Sequence, residues 1–168
     1  NDWERSYVSG EGLAYGVETE FAWRTRKTDI SAFYTLSWSK RRFKEFFHDW
    51  YPDRYDNRHK LTIAASHKFS DRFDIYASWN WHSGNRITVV SHSLLHEGYD
   101  PHDGFGRPHD FHDTPNNMKL PDYHRLDLGA NFRKITKRGN ESIWTISIYN
   151  TYCRMNPIWA DIWLSTDR

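Results

Sequence analysis

Phe73-Asp74-Ile75-Tyr76-Ala77-Ser78-Trp79-Asn80-Trp81-His82 decides the fold. Odd positions carry Phe, Ile, Ala, Trp and Trp. Even positions carry Asp, Tyr, Ser, Asn and His. Alternation of this length puts every second side chain on an apolar face and the rest on a wet one, which is the pattern of a half-buried β-strand. It cannot be wound into a helix without scattering the apolar set around the axis.

Five further runs repeat the pattern. Tyr15, Val17, Thr19, Phe21 and Trp23 share one parity, against Gly16, Glu18, Glu20, Ala22 and Arg24. Ile30, Ala32, Tyr34, Leu36 and Trp38 alternate with Ser31, Phe33, Thr35, Ser37 and Ser39. Leu61, Ile63 and Ala65 stand against Lys60, Thr62, Ala64 and Ser66. Leu126, Leu128, Ala130 and Phe132 stand against Arg125, Asp127, Gly129, Asn131 and Arg133, and Trp144, Ile146 and Ile148 against Thr145, Ser147 and Tyr149. Apolar faces end in rings (Trp23, Trp38, Trp79 with Trp81, and Phe132), as in the aromatic girdle of a membrane-spanning strand. A soluble antiparallel sandwich also alternates, but its strands usually stop after about five or six residues.

Connection length points the same way. Thr25 to Asp29, Ser70 to Arg72 and Thr136 to Asn140 are short and suit tight turns. Arg41 to Asn57 and Gly84 to Pro121 are long. Short and long alternate, so they segregate to opposite ends of the sheet, as periplasmic turns and extracellular loops do in outer-membrane barrels. Long structureless connections are uncommon in compact soluble domains.

Composition agrees. The 168 residues are 17% aromatic, yet the mean hydropathy is −0.90. Strands with one greasy and one wet face produce that combination; the aromatic content argues against disorder. A net charge of +1 gives no general attraction to nucleic acid. Cys153 is the only cysteine and cannot form an intramolecular disulfide. No stretch of about eighteen apolar residues is present, so no transmembrane helix is expected. Asn1-Asp2-Trp3-Glu4 does not read as a signal peptide. Six or seven strands are too few to close a bacterial barrel, which needs at least about eight. The expected fold is therefore all-β, a fragment of a larger antiparallel transmembrane β-barrel.

Several segments carry a family resemblance. Gly12-Leu13-Ala14-Tyr15-Gly16-Val17-Glu18 is similar to a Gly-x-x-Tyr-Gly-x-Glu strand opening, and Tyr34-Thr35-Leu36-Ser37-Trp38-Ser39 to the strand after it. Pro52-Asp53-Arg54-Tyr55-Asp56-Asn57-Arg58-His59 resembles a Tyr-Asp-x-Arg-His segment, and Ser83-Gly84-Asn85 a Thr-Gly-Asn strand end. Leu120-Pro121-Asp122-Tyr123-His124-Arg125-Leu126-Asp127 resembles Leu-Pro-x-Tyr-His-Arg-Leu-Asp. Tyr149-Asn150-Thr151-Tyr152-Cys153-Arg154-Met155-Asn156-Pro157 resembles Tyr-Asn-x-Tyr-x-Arg-x-Asn-Pro. In this order they resemble the C-terminal part of the barrel of TonB-dependent outer-membrane receptors, particularly those of Bacteroidetes. The resemblance covers most of residues 1–168. It implies a twenty-two-stranded barrel in the outer membrane of a Gram-negative bacterium, with a plug and a TonB-contacting box that are not recognisable in this chain. It implies TonB-energised uptake of a scarce or large nutrient, such as a metal chelate, haem, glycan or peptide. The partners expected are the bilayer, the remaining barrel strands, the TonB complex and a surface lipoprotein. The family's last strand usually ends in an aromatic; the run from Ile158 to Leu164 is expected to begin it.

Three groups of residues are candidates for chemistry. The second long loop holds His92, His96, His102, His109 and His112 among four aspartates. His109 and His112 are the first-choice metal ligands, because imidazole beside carboxylate suits zinc, copper or iron; the bland alternative is a solvated His-rich loop. Such a metal, or haem, would be transported ligand, and no resident cofactor is expected. Glu18, Glu20, Arg125 and Asp127 fall on the wet parity, where they face the lumen and pair with other charges. Trp50 and Tyr51 in the first long loop, with His96 and His102 in the second, are candidates for binding substrate; the aromatics equally suit packing between loops. No nucleophile elbow, phosphate loop or zinc-hydrolase pattern is present, so no catalysis is expected. Two other readings remain. One is a barrel that anchors, binds or hydrolyses at the surface without transport; the other is a soluble β-sandwich binding module.

Overall fold

A computed structural model describes residues 7–95, 99–100, 104–105, 108–111, 113–137 and 139–160. Among them there are thirteen strands and no helix. They are β1 (Glu11–Arg24), β2 (Thr28–Phe43), β3 (Phe47–Pro52), β4 (His59–Ser70), β5 (Phe73–His82), β6 (Arg86–Ile87), β7 (His92–Leu95), β8 (Tyr99–Asp100), β9 (Gly104–Phe105), β10 (Pro108–Phe111), β11 (Met118–Lys119), β12 (Tyr123–Ile135) and β13 (Glu141–Ile148).

The main sheet is antiparallel, in the order β1-β2-β4-β5-β12-β13, with β3 folded back on the far end of β2. All six strands anticipated from alternation are present. The sheet is open: β1 and β13 are its two edges.

Register makes one surface of these strands. Trp23 pairs with Ile30, Ile30 with Ala65, Ala65 with Ala77, Ala77 with Leu128 and Leu128 with Ile148. One step along, Phe21, Ala32, Ile63, Trp79 and Leu126 form the next row. Every apolar parity therefore falls on the same side. The opposite side carries Glu18, Ser31, Thr62, Asn80, Asp127 and Thr145. A slip of one residue at any of the five pairings would turn later apolar sets to the wet side.

Rings close the apolar face at both ends. Toward the short turns, Phe69, Phe73 and Phe132 stack in a row, with centroids 5.5 and 4.9 Å apart, and Trp144 pairs with Phe132. Toward the long connections, Tyr15 stacks on Trp38 at 5.3 Å, His59 lies between Tyr34 and Trp81, and His124 between Trp79 and Tyr152. Tyr15 to Trp23, Phe73 to Trp81 and His124 to Phe132 are each eight residues apart. At about 3.3 Å per residue, the apolar band is about 26 Å long along these three strands.

Among the described residues nothing is packed on this face. Their buried apolar members are Tyr51, Ile87 and Leu120, all outside the six strands, while Val17, Phe21, Trp144 and Ile146 are more than half exposed. The accessible surface is 13678 Å², against about 8,800 Å² for a compact monomer of this mass.

The long connections are more ordered than the sequence predicts. The first, 41–57, contains the end of β2 and all of β3, a hairpin with an irregularity between Arg41 and Phe43. The second, 84–121, is a nested hairpin: β6 pairs with β11, β7 with β10, and β8 with β9. It is an arm rising from the junction of β5 and β12. Pairs of two to four residues are too short for alternation to reveal them. Residues 158–160, the start of the anticipated last strand, are irregular; 161–164 lie outside the described residues.

One position on the wet face tests the register directly. Gly129 lies opposite Tyr76, whose ring occupies the place where a Cβ on Gly129 would be. Gly129→Ala should destabilise the sheet by about 1–3 kcal/mol through overpacking. Most of that loss should vanish in a Tyr76→Ala background, giving a large coupling in a double-mutant cycle measured by urea unfolding. Additive effects would show that the two residues do not meet.

Candidate functional site

The buried polar residues gather at the end of the sheet that carries the long connections. Asp53, Asp56, Asn57 and Ser83 are each less than 10% exposed. A cluster of such residues is stable only when each polar atom is matched.

Asp56 joins β2 to the segment that follows β3. Its Oδ1 accepts from the Ser39 amide at 2.9 Å, and its Oδ2 faces the Arg58 guanidinium at 3.1 Å and that of Arg86 at 3.9 Å. Asp53 ion-pairs with Arg41 and accepts from the Tyr55 amide at 3.1 Å. Asn57 reaches the end of β5: its Nδ2 donates to the Ser83 carbonyl at 2.9 Å and to Asn85 Oδ1 at 2.6 Å. Ser83 and His59 complete a backbone bridge, with Ser83 Oγ accepting from the His59 amide.

The arm is fastened at the same point. The Leu120 amide donates to the Asn85 carbonyl at 2.8 Å, and the Gly84 amide to Asp122 Oδ1 at 3.0 Å. Gly84 runs so close to the Leu120 carbonyl that a Cβ would collide with it, which is why glycine stands there. Asn116 Nδ2 donates to the Pro52 carbonyl at 2.8 Å, tying the arm's root to β3. Partial burial pushes the Asp122 pKa upward, but the Gly84 amide and Lys119, 3.1 Å away, outweigh it and hold the carboxyl below its ordinary value.

A second clasp holds the chain after β13. Asn150 and Cys153 adopt positive φ of 52° and 51°, reversing the backbone. Asn156 then pairs with the His124 backbone through both halves of its amide, accepting at 3.1 Å and donating at 3.0 Å, as a strand partner would. Arg154 donates to the Asp122 carbonyl at 3.2 Å, and the Asn150 amide to Asp127 Oδ1 at 2.9 Å. Three sequence segments, 52–59, 83–85 and 120–127, thus meet at one latch, and 149–157 is clasped beside it.

The candidates from sequence divide between this end and the wet face. Tyr51 is buried, edge-on to Phe47 at 5.9 Å. Trp50 is at the surface with the Arg42 guanidinium 4.8 Å over its ring. Arg125 pairs with Asp127 at 2.8 Å and contacts the hydroxyls of Tyr123 and Tyr149. Further along β12, Asp74 holds Arg133 and Asn131, and Asn131 accepts from Thr145 at 2.8 Å. Glu18 and Glu20 stand on edge strand β1 opposite Thr35 and Phe33, and neither meets a cation among the described residues. The backbone of His109 lies opposite Leu94 in the arm; His96, His102 and His112 lie outside the described residues. Among the described residues no three potential ligands are grouped to hold a metal.

A recess of about 260 Å³ opens beside the latch, lined by Arg41, Phe43, Tyr51, Asp53, Arg54 and Tyr55. Two guanidinium groups, two phenols and one carboxylate offer donors and flat surfaces for a polar ligand. They contain no nucleophile–base pair.

Removing the Asp56 carboxylate should be costly: Asp56→Ala orphans the Ser39 amide and leaves Arg58 without its partner. A loss of about 1–3 kcal/mol in chemical unfolding is expected, with faster hydrogen exchange at Ser39. The Asp122 contact should respond to acid. A depressed pKa means its stabilisation is present above the ordinary aspartate value and lost as pH falls through the lowered one. Exchange at the Gly84 amide should therefore accelerate below about pH 4. In Asp122→Asn, which keeps an acceptor but cannot titrate, that acceleration should be absent.

No match to this chain was found among family models, curated proteins or solved structures.

Proposed function

We propose that this chain forms part of the wall of a transmembrane β-barrel in the outer membrane of a Gram-negative bacterium, of the TonB-dependent receptor type. It serves in energised uptake of a scarce or large nutrient. One observation carries the membrane reading: a single continuous apolar face over six strands, uncovered among the described residues, with aromatic rings at both ends that stand eight residues apart on β1, β5 and β12. Water is a poor neighbour for such a face, and burying it costs least in a hydrocarbon layer. At a strand tilt of about 40°, a 26 Å path along the strand rises roughly 20 Å, close to the apolar band of known barrels. The other face carries ion pairs and amide ladders that suit a polar lumen.

The uptake reading rests on the resemblance of the latch and clasp segments to the receptor family. Their role fits it: they brace the roots of the long connections, which lie outside the cell in such receptors and form the capture surface. The recess at Arg41 and Arg54 is then a place where a polar cargo touches the wall. A TonB-coupled plug and the other barrel strands are the partners this reading requires, and a surface lipoprotein is one it allows. A metal or haem enters it as cargo.

Two experiments test it. Ala77→Arg and Leu128→Arg, on the apolar face, should each cost about 2–4 kcal/mol in a bilayer-folding assay. Ser78→Arg, one residue from Ala77 on the wet face, and Thr35→Arg on the same side of β2 should cost far less. Equal tolerance on both faces, or recovery of the whole protein from the soluble fraction, would refute the membrane reading. Epitopes in the arm should label on intact cells and those near Asp71 should not; the reverse would invert the orientation. If the gene encodes no plug ahead of the barrel, a non-transporting barrel replaces the receptor.

A further inference from the structure

The recess of about 260 Å³ beside the latch lies on the wet side of the sheet. Gly12 pairs with Arg41 as Glu18 pairs with Thr35, an even step along both strands, so Arg41 emerges on the side of Thr35. Tyr51 stands opposite Arg41 and shares that side. Two guanidinium groups of the lining, those of Arg41 and Arg54, meet one carboxylate, that of Asp53. Asp53 is already matched, by Arg41 Nε and by the Tyr55 amide at 3.1 Å. Arg54 is exposed and has no ion-pair partner among the described residues. Its guanidinium carbon lies 5.8 Å from the ring centroid of Tyr55 and 5.7 Å from that of Trp159. Aromatic rings hold a guanidinium in place without cancelling its charge. The lining therefore carries one net positive charge, on a fork that no side chain neutralises.

Three features select the occupant. A guanidinium fork takes a planar carboxylate through two parallel hydrogen bonds. One positive charge matches a monoanion. A phosphate monoester, with a charge of about −1.5 to −2, would be repelled by the Asp53 carboxylate in the same recess. The backbone, thirdly, is closed to a peptide. The carbonyls of Pro52, Asp53, Arg54 and Tyr55 already accept from Asn116 Nδ2 and from the amides of Asp56, Arg86 and Asn57. Recognition therefore falls to side chains. Arg41 uses its Nε on Asp53, and its two Nη groups make no hydrogen bond among the described residues. With Asn116 Oδ1 they offer both donors and an acceptor, which is what hydroxyl groups need. The Tyr55 ring, 63% exposed, adds a flat surface.

We propose that the recess binds one acidic sugar residue of the cargo, a hexuronate, with its carboxylate on Arg54 and its hydroxyls on Arg41 and Asn116. This names a cargo chemistry for the recess and rests on the uptake reading above. Trp159 is then a positioning residue. It acts on Arg54 rather than on the sugar, and the clasp at Asn156 brings it within reach.

The test titrates the whole protein, in detergent micelles, with trigalacturonate in a calorimeter. Saturable binding is expected. The fully methyl-esterified trisaccharide, which keeps the sugar rings and loses the charges, should bind roughly tenfold more weakly or not at all. Arg54→Gln should weaken the acid by roughly the same factor and leave the ester unaffected. Arg54→Lys, which keeps the charge and loses the fork, should recover only part of the loss. Trp159→Ala should weaken the acid less than Arg54→Gln does, and again not the ester. Equal affinity for acid and ester, or an affinity unchanged in Arg54→Gln, overturns the proposal. Tighter binding of triglutamate than of trigalacturonate would make the cargo an acidic peptide, and displacement by millimolar inorganic phosphate would make this a simple anion site; either overturns it too. The two readings fail separately. A protein that reaches the outer membrane and binds no trigalacturonate refutes the sugar site alone. Intact binding by a protein recovered from the soluble fraction refutes the uptake reading and leaves the site standing.

Discussion

Antiparallel pairing with a side-chain period of two leaves no slack between neighbouring strands. Once Ile30 stands opposite Ala65, and Ala65 opposite Ala77, the side on which Leu128 and Ile148 emerge is determined. The uncovered apolar face, its aromatic borders and the polar ladder on the reverse all depend on this register. In a sheet buried on both sides a slip changes the packing. Here it would move Glu18 or Asp127 onto the apolar side, where no row of cations stands among the described residues to absorb the charge.

Hydrogen-bond ladders alone do not choose among registers, since each slipped pairing offers the same backbone groups. The latch supplies a choice. Asp56 and Asn57 recognise Ser39, Ser83 and Asn85, and Asp122 recognises Gly84. These contacts fix β2, β4, β5 and β12 relative to one another at one end. Asn156 does the same for the segment after β13 by imitating a strand against His124. Apolar alternation sets which face is which, and the buried polar groups set where each strand begins.

The first of these was legible in the chain and the second was not. Alternation in runs such as 73–82 is visible because every residue follows the period. Short turns were readable because Gly139, Asn140 and Asp71 are residues that tight turns select. The latch is written in Asp, Asn and Ser, which in a long connection read as solvated surface. Their burial depends on partners tens of residues away, and nothing local announces it. Tyr51 and Trp50 are adjacent and aromatic, yet one is buried against Phe47 and the other lies under a guanidinium; neighbours from elsewhere in the chain decide that. The nested pairing of the arm was hidden for another reason, as its ladders are interrupted every few residues.

That arm bears on how the sheet is assembled. β5 and β12 are adjacent in space but separated by forty residues, and bringing such distant segments together is the slow, entropically costly step in β topologies. With β8 on β9, β7 on β10 and β6 on β11 closed in turn, each pairing spans only a short gap left by the one before. The chain can then zip from the arm's tip to its root and deliver Tyr123 to His82 already in register. A segment that looks like an insertion into the sheet is, in kinetic terms, the shortest route to the pairing of β5 with β12.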